Sequence, residues 1–297
     1  MAGRGDVTMK MYLVHYFTAL LLFFAAGCEY PYGSRKEIPE TSEAELIRTL
    51  TMLQGYFEKL GVTADGILSI VNTPVLHTAL HEKTIIEKSN RAVAMFKDVH
   101  SGKFLFAGEV RLDGTVMETY EDTQGFLYHL HSKFHRSDQG KFPHSFEDGY
   151  PYTWEVSGSS DIPQFIITTT SPRSIIITNP HHNIVIDIGK DLEIDFTVCE
   201  NSYAMILTLT PMKIVHSRNR ATLRIGRAYS RYLYDTASPI IVPADTLATI
   251  THREDIAWDY FSLSLKSISI EDKLLHDGKR IKAVIVTGDV LLLNIVN

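Results

Sequence analysis

Leu192-Glu193-Ile194-Asp195-Phe196-Thr197-Val198 alternates apolar and polar side chains without a break. Successive side chains of a strand point to opposite faces. This stretch therefore buries Leu192, Ile194, Phe196 and Val198 and leaves Glu193, Asp195 and Thr197 wet. Working outward, short apolar segments recur around it. The pattern predicts strands over 174–178, 183–188, 192–199 and 204–210, with starts about 9 to 12 residues apart and turn residues between. Further strands are predicted over 222–225, 240–242, 261–270, 281–286 and 290–296. That rhythm is the signature of an antiparallel β-sandwich.

Toward the N-terminus the β texture continues, with strands predicted over 92–97, 104–112, 126–133, 152–157 and 164–170. Asp113-Gly114 is a hairpin-type turn before Thr115, Val116 and Met117. Residues 62–91 are ambiguous: Leu68, Ile70 and Val71 fit a strand, whereas 76–88 reads as helix or loop. Ser42 and Glu45 have capping-box spacing. Leu46, Ile47, Leu50, Leu53, Phe57 and Leu60 then recur at helical intervals before Gly61. These signals predict one amphipathic helix over 43–60, packed by its apolar stripe on the first domain. A boundary at Ser171-Pro172 divides a helix plus β-rich domain, 43–170, from a sandwich domain, 171–297.

The chain has 297 residues, 44% of them hydrophobic and 22% charged, so it can bury a core and is no disordered tail. Lys plus Arg number 29 against 35 for Asp plus Glu, a net charge of -6, which argues against nucleic acid as a partner. Two cysteines exclude a disulfide-dense scaffold and a multi-cysteine metal module. Near the N-terminus, basic Arg4 and Lys10 precede an apolar run from Met11 to Phe24. The run is shorter than the roughly 20 residues that span a bilayer and suits the core of a signal peptide. After it, residues 29–37 are polar, contain Pro31 and Gly33, and read as a tether.

Phe24-Ala25-Ala26-Gly27-Cys28 resembles the lipobox of bacterial lipoproteins, with Ala25 where that family usually carries leucine. The resemblance implies a signal peptide over 1–27, diacylglyceration of the Cys28 thiol and a tether over 28–42. It places the mature chain in the bacterial envelope, extracytoplasmic and held at a membrane by lipid. Farther on come Trp154-Glu155-Val156-Ser157-Gly158, Ile162-Pro163-Gln164-Phe165, Ser171-Pro172, Ile175-Ile176-Ile177 and Asn179-Pro180. Leu192-Glu193-Ile194-Asp195-Phe196 and Ile241-Val242-Pro243-Ala244-Asp245-Thr246-Leu247 complete the order. Over roughly residues 90 to 297 this order resembles uncharacterised bacterial envelope lipoproteins with an immunoglobulin-like β-sandwich. It implies that fold for the C-terminal half, and transfers no functional residue.

No nucleophile elbow, zinc-protease helix, Walker loop or dinucleotide fingerprint is present in the sequence. His129 and His131, two apart on a strand, could share a metal with His144 or Glu147, but with His135 they read better as histidines of a polar segment. His181-His182 reads as a turn. Asp187, Asp191, Glu193 and Asp195 read as a solvated face rather than a calcium loop. Arg224, Arg227 and Arg231 with Tyr229, Tyr232 and Tyr234 likewise read as a strand surface, and Cys199 as a small hydrophobe. The expectation is no metal, no cofactor and no catalytic residue.

Tyr150, Tyr152 and Trp154 alternate, so their rings share one side of a strand and could stack on a flat ligand; the competing reading is a core tryptophan with tyrosines at the rim. The sequence therefore predicts a non-enzymatic structural or ligand-binding envelope module with an unidentified ligand or protein partner. The alternative is a carbohydrate-binding or carbohydrate-cleaving accessory lipoprotein, which needs Tyr152 and Trp154 exposed.

One further expectation concerns phase. Phe261, Leu263 and Leu265 alternate with polar residues, as do Ile268 and Ile270, but Leu265 and Ile268 are three apart. A β-bulge near Lys266-Ser267 would return both sets to one core. Without it, the strand is buried on one face early and on the other late.

Overall fold

The computed structural model describes residues 64–78, 84–98, 100–122, 125–131, 145–197, 202–217, 220–234, 237–252 and 256–296. The signal segment predicted over 1–27, the tether predicted over 28–42, the helix predicted over 43–60 and Cys199 lie outside the described residues.

The described residues are mainly β, with one helix. In the N-terminal half the strands are β1 (Gly66–Thr78), β2 (Thr84–Phe96), β3 (Val110–Leu112), β4 (Thr115–Val116), β5 (Glu118–Asp122), β6 (Gly125–His131), β7 (Pro151–Val156) and β8 (Phe165–Thr170). There follow β9 (Ile177–Asn179), β10 (Val185–Asp187), β11 (Leu192–Phe196), β12 (Ala204–Ser217), β13 (Arg220–Ile225) and β14 (Tyr229–Leu233). Last come β15 (Ile240–Val242), α1 (Ala244–His252), β16 (Tyr260–Leu274) and β17 (Arg280–Val296).

Ten strands form one mixed sheet with the path β13-β12-β16-β17-β1-β2-β6-β5. β10 pairs β17, and β14 pairs β12. β17 runs parallel to β1 and β10 along one edge and antiparallel to β16 along the other. Strands from both sides of Ser171-Pro172 thus share this sheet. Two prolines fit where the ladders allow a missing N–H. Pro74 lies beyond Asn72, the last β1 residue paired with β17. Pro211 lies where β12 exchanges one edge partner, β14, for the other, β13.

The large sheet has a front face and a back face. On the front, Leu68, Ile70, Ala92, Ala94, Tyr128, Ala283 and Ile285 pack against residues of β3, β7 and β8, Trp154 among them. Beside this first core, Leu207, Leu209, Phe261, Leu263, Leu265, Leu291 and Leu293 pack against Ile177, Ile194, Phe196, Ile240, Val242 and the α1 residues Leu247 and Ile250. Two small sheets, β4-β3-β7-β8 and β15-β11-β9, provide these partners. The buried set Leu192, Ile194 and Phe196 is the one the alternation assigned.

Several expectations change. Of the segment 76–88, read as helix or loop, residues 76–78 and 84–88 are strand, in the antiparallel pairing of β1 and β2 that runs from Gly66 with Phe96 to Thr78 with Thr84; residues 79–83 lie outside the described residues. The strands predicted over 281–286 and 290–296 are one strand, β17, unbroken through Thr287-Gly288-Asp289. Gly288 is there for space rather than for a turn: a Cβ would stand 2.8 Å from the Leu265 carbonyl oxygen. Only residues 110–112 of the strand predicted over 104–112 are strand. The hairpin turn at Asp113-Gly114 is as predicted, with φ of 47° and 76°, both in the left-handed region its type requires.

The bulge at Lys266-Ser267 is absent. Residues 260–274 pair with β17 in an unbroken register, Leu265 opposite Asp289 and Ile268 opposite Val286. Leu265 therefore points to the second front core, and Ile268 to a cluster on the back face. The strand changes environment instead of changing phase. A register shift does occur elsewhere, between Asp195 and Phe196 of β11.

Candidate functional site

The aromatic row is core. In β7 the odd residues Pro151 and Glu155 are exposed, and the even residues Tyr152, Trp154 and Val156 turn inward. Tyr152 and Trp154 are each 0% exposed. Phe146 stacks on Tyr152 with ring centroids 5.6 Å apart, and half-buried Tyr150 meets it edge-on at 4.8 Å. The Glu147 N–H donates to Tyr152 Oη at 3.1 Å. Burial is the main reason that the Tyr152 phenol is pushed up to about 12; the Glu147 N–H works against it, and the negative charges of Asp113 and Glu147 reinforce it. Tyr152 and Trp154 have no accessible surface on which a ligand could stack, which fits the competing reading of a core tryptophan; Tyr150 is half-buried at the rim. The alternation was legible; which face it addressed was not.

Polar groups around the row serve its geometry. Ser171 is fully buried. Its Oγ donates to the Glu147 carbonyl at 2.6 Å and accepts the Tyr150 N–H at 3.1 Å. Asp113 in the hairpin turn accepts the Thr153 N–H through Oδ1 at 2.8 Å, pinning the turn to β7. Tyr128 Oη accepts the Ala107 N–H at 2.8 Å, and burial raises its phenol as well.

The histidine and acidic candidates disperse. His129 is buried on the back face, its Nε2 3.8 Å from Glu118 Oε2 on the adjoining strand. Glu147 is exposed in the loop before β7, and His135 and His144 lie outside the described residues. Among the described residues, no three His, Cys, Asp or Glu side chains gather as a metal site. His182 Nδ1 accepts the Leu292 N–H at 3.2 Å, a structural tie for the turn it occupies. Asp187 accepts the Gly189 N–H and pairs with Lys190, which holds its carboxyl below the usual range. Asp191 accepts the Ala244 N–H at 2.8 Å, where α1 begins. Glu193 is exposed, on the outer face of β11.

The Arg and Tyr set does not gather. Arg224 on β13 and Arg227 after it are exposed, as are Arg231 and Tyr234, whereas Tyr229 and Leu233 pack on the second front core and Tyr232 packs on the back cluster. Alternation in β14 separates Tyr229 and Leu233 from Tyr232.

Sequence reasoning missed a buried polar seam between the two front cores. Asn72, Thr287 and Ser267 stand in cross-strand register on β1, β17 and β16, and all are buried. Ser267 Oγ donates to Ser202 Oγ at 2.9 Å. Next to them, Asp289 accepts the Ile177 N–H at 3.0 Å and the Val290 N–H at 2.9 Å, tying β9 to β17. The available signal was Thr287 and Asp289 standing in phase with Ile285 and Leu291. These hydroxyls, one amide and one carboxylate can hydrogen-bond and set spacing, because carboxylate and serine are already engaged in holding other parts of the chain.

Among the described residues no helix is long and apolar enough to cross a membrane. No protein-family model matches the chain, and a search of curated proteins finds no match to it, so its kinship is argued from its own residues.

Proposed function

We propose that this chain is a bacterial envelope lipoprotein, extracytoplasmic and anchored through a lipidated Cys28, whose β body is a non-enzymatic structural or ligand-binding module. The observation that carries the reading is the basic start, the apolar run from Met11 to Phe24, and Ala26-Gly27 directly before Cys28. Each buried methylene of an acyl chain contributes about 0.8 kcal/mol, so several chains hold a soluble body firmly at a membrane. The partners in this reading are the membrane, through lipid, and a ligand or protein still to be identified. The body's fold in the same reading is a sandwich, β12, β16 and β17 facing β9, β11 and β15. The shared second core supports it, and the order of motifs over 90–297 supports an immunoglobulin-like kinship. The carbohydrate alternative loses its main support with the burial of Tyr152 and Trp154.

The test is Cys28→Ser in cells labelled with palmitate. The wild type incorporates label and fractionates with membranes; the variant loses the label and is released or stays unprocessed. A variant that remains membrane-bound like the wild type refutes the anchor.

A further inference from the structure

The polar seam on the front face lies between the two packed cores and belongs to neither. The first core ends on β1 and β17 at Ile70 and Ile285, which are paired, and the second starts on β16 and β17 at Leu265 and Leu291. Between them the cross-strand row Asn72, Thr287 and Ser267 puts shorter polar side chains where branched apolar ones stand on either side. β8 lies over β16 and β17 at this place. Its inward residues are Phe165, Ile167 and Thr169. Ser269, two residues from Ser267 on the same face of β16, donates from Oγ to the Thr170 carbonyl at 3.4 Å. The chain then passes through fully buried Ser171 toward β9, where the Ile177 N–H is held by Asp289. Described residues thus enclose the seam from below and above. Asn72 is 6% exposed, Thr287 0% and Thr169 1%.

Three buried atoms in this enclosure have no hydrogen-bond partner among the described residues: Asn72 Oδ1, Thr287 Oγ1 and Thr169 Oγ1. A buried polar atom left so bears its full desolvation penalty, and native interiors satisfy nearly all such groups. We infer that the seam is a binding site for internal water, bridging Asn72 Oδ1 and Thr287 Oγ1 on the sheet to Thr169 Oγ1 on β8. The chemistry selects this ligand. Asn72 Oδ1 only accepts, and each threonine hydroxyl both donates and accepts. Water can donate to the amide oxygen and to one hydroxyl while accepting from the other, which gives it the three or so bonds typical of a buried molecule. A hard cation fits poorly. Such ions gather many oxygen ligands, carboxylates among them. The carboxylate beside the row, Asp289, already accepts the Ile177 N–H through Oδ2 and the Val290 N–H through Oδ1. An apolar guest would leave all three atoms unsatisfied. A direct bond between Asn72 and Thr287 would still leave Thr169. The water ties the upper layer to the sheet at the place where the two cores part. The inference does not depend on the lipid anchor, since it concerns the β body alone.

The experiment compares the full chain with Thr287→Val and Thr169→Val, which keep the side-chain shape and remove one hydroxyl each. Magnetic relaxation dispersion of water oxygen counts the molecules that a protein holds for longer than it tumbles. Each variant is expected to hold at least one fewer than the wild type, and an unchanged count in both overturns the inference. Urea unfolding gives a second reading with opposite signs for the two cases. Where water satisfies the hydroxyl, its loss should raise the unfolding constant about fivefold. Where the hydroxyl has no partner at all, valine relieves a desolvation penalty, so a Thr287→Val chain as stable as the wild type or more so overturns the inference. If neither variant folds, a high-resolution crystal structure of the wild type decides. Density about 2.7–3.2 Å from Asn72 Oδ1 and Thr287 Oγ1 supports the water site. A direct bond between these two atoms with no such density, or a density ringed by six or more oxygens at about 2.4 Å as calcium would be, overturns it.

Discussion

Truncating Leu265 and Ile268 separately tests whether β16 is buried on both faces. The two residues are three apart on an unbroken ladder, so their side chains leave the sheet in opposite directions. Leu265 is 0% exposed in the second front core, and Ile268 is 1% exposed in the back cluster. Each change to alanine removes three buried carbons, about 2.4 kcal/mol of transfer free energy, and the cavity left behind raises the cost to about 2–5 kcal/mol. An ordinary amphipathic strand would show that cost at one position and almost none at the other.

Urea unfolding followed by tryptophan fluorescence measures both, with Trp154 in the first front core and Trp258 buried beside Gly226 as reporters. Leu265→Ala and Ile268→Ala should each lower stability by at least about 2 kcal/mol, whereas Glu271→Ala, exposed on the same strand, should stay within about 0.5 kcal/mol. The double variant should lose the sum to within about 0.5 kcal/mol, since the side chains share no partners. A cost below about 1 kcal/mol at either position would put that side chain at the surface and refute the two-faced strand.

Three other outcomes follow from the same geometry. An unfolded tyrosine ionises near pH 10 while Tyr152 stays protonated to about 12, so the folded state binds more protons between these values. Its contribution is intact below pH 10 and lost as pH rises toward 12, the loss being on the order of 1 kcal/mol at pH 11; in Tyr152→Phe the fall in urea midpoint between pH 9 and pH 11 should shrink accordingly. Gly288→Val forces a side chain against the Leu265 carbonyl and the Lys266 backbone and should cost about 1–3 kcal/mol in a thermal melt. Asp191→Ala removes the acceptor for the Ala244 N–H at the start of α1 and should cost about 1 kcal/mol, whereas Asp191→Asn should retain most of it.

Sequence patterns were most legible where one face of a strand is wet. β11 alternates and was found from its side chains alone; β15 and the turn at Asp113-Gly114 were found for related reasons. Legibility failed where a distant partner supplies the reason. Ala-Asp-Thr-Leu-Ala-Thr-Ile-Thr-His has three threonines, poor helix formers, and no strong signal of its own. It is helical with an N-terminus held by Asp191 and with Leu247 and Ile250, three apart, set into the second front core. The aromatic row was legible only in part. Period two placed Tyr152 and Trp154 on one face, but only the neighbouring strands β3 and β8 decide that this face is inward.

β17 shows why the interior resists such reading. Ile281, Ala283 and Ile285 enter the first front core, Leu291 and Leu293 enter the second, and Val284 and Val286 enter the back cluster. A strand buried on both faces has no apolar-polar alternation to display. Thr287-Gly288-Asp289 therefore resembles a turn between two short strands. In the fold it is the crossing point between two cores: Thr287 stands in the polar seam, Gly288 gives room to the Leu265 and Lys266 backbone, and Asp289 ties in β9. The same crossing accounts for the phase shift in β16, because Leu265 is paired with Asp289 and Ile268 with Val286. Both irregularities record one event, the passage of paired strands from one packing partner to the next. A phase shift without turn residues is thus better read as a change of environment along a continuous strand than as a bulge, provided that both faces of the sheet are covered.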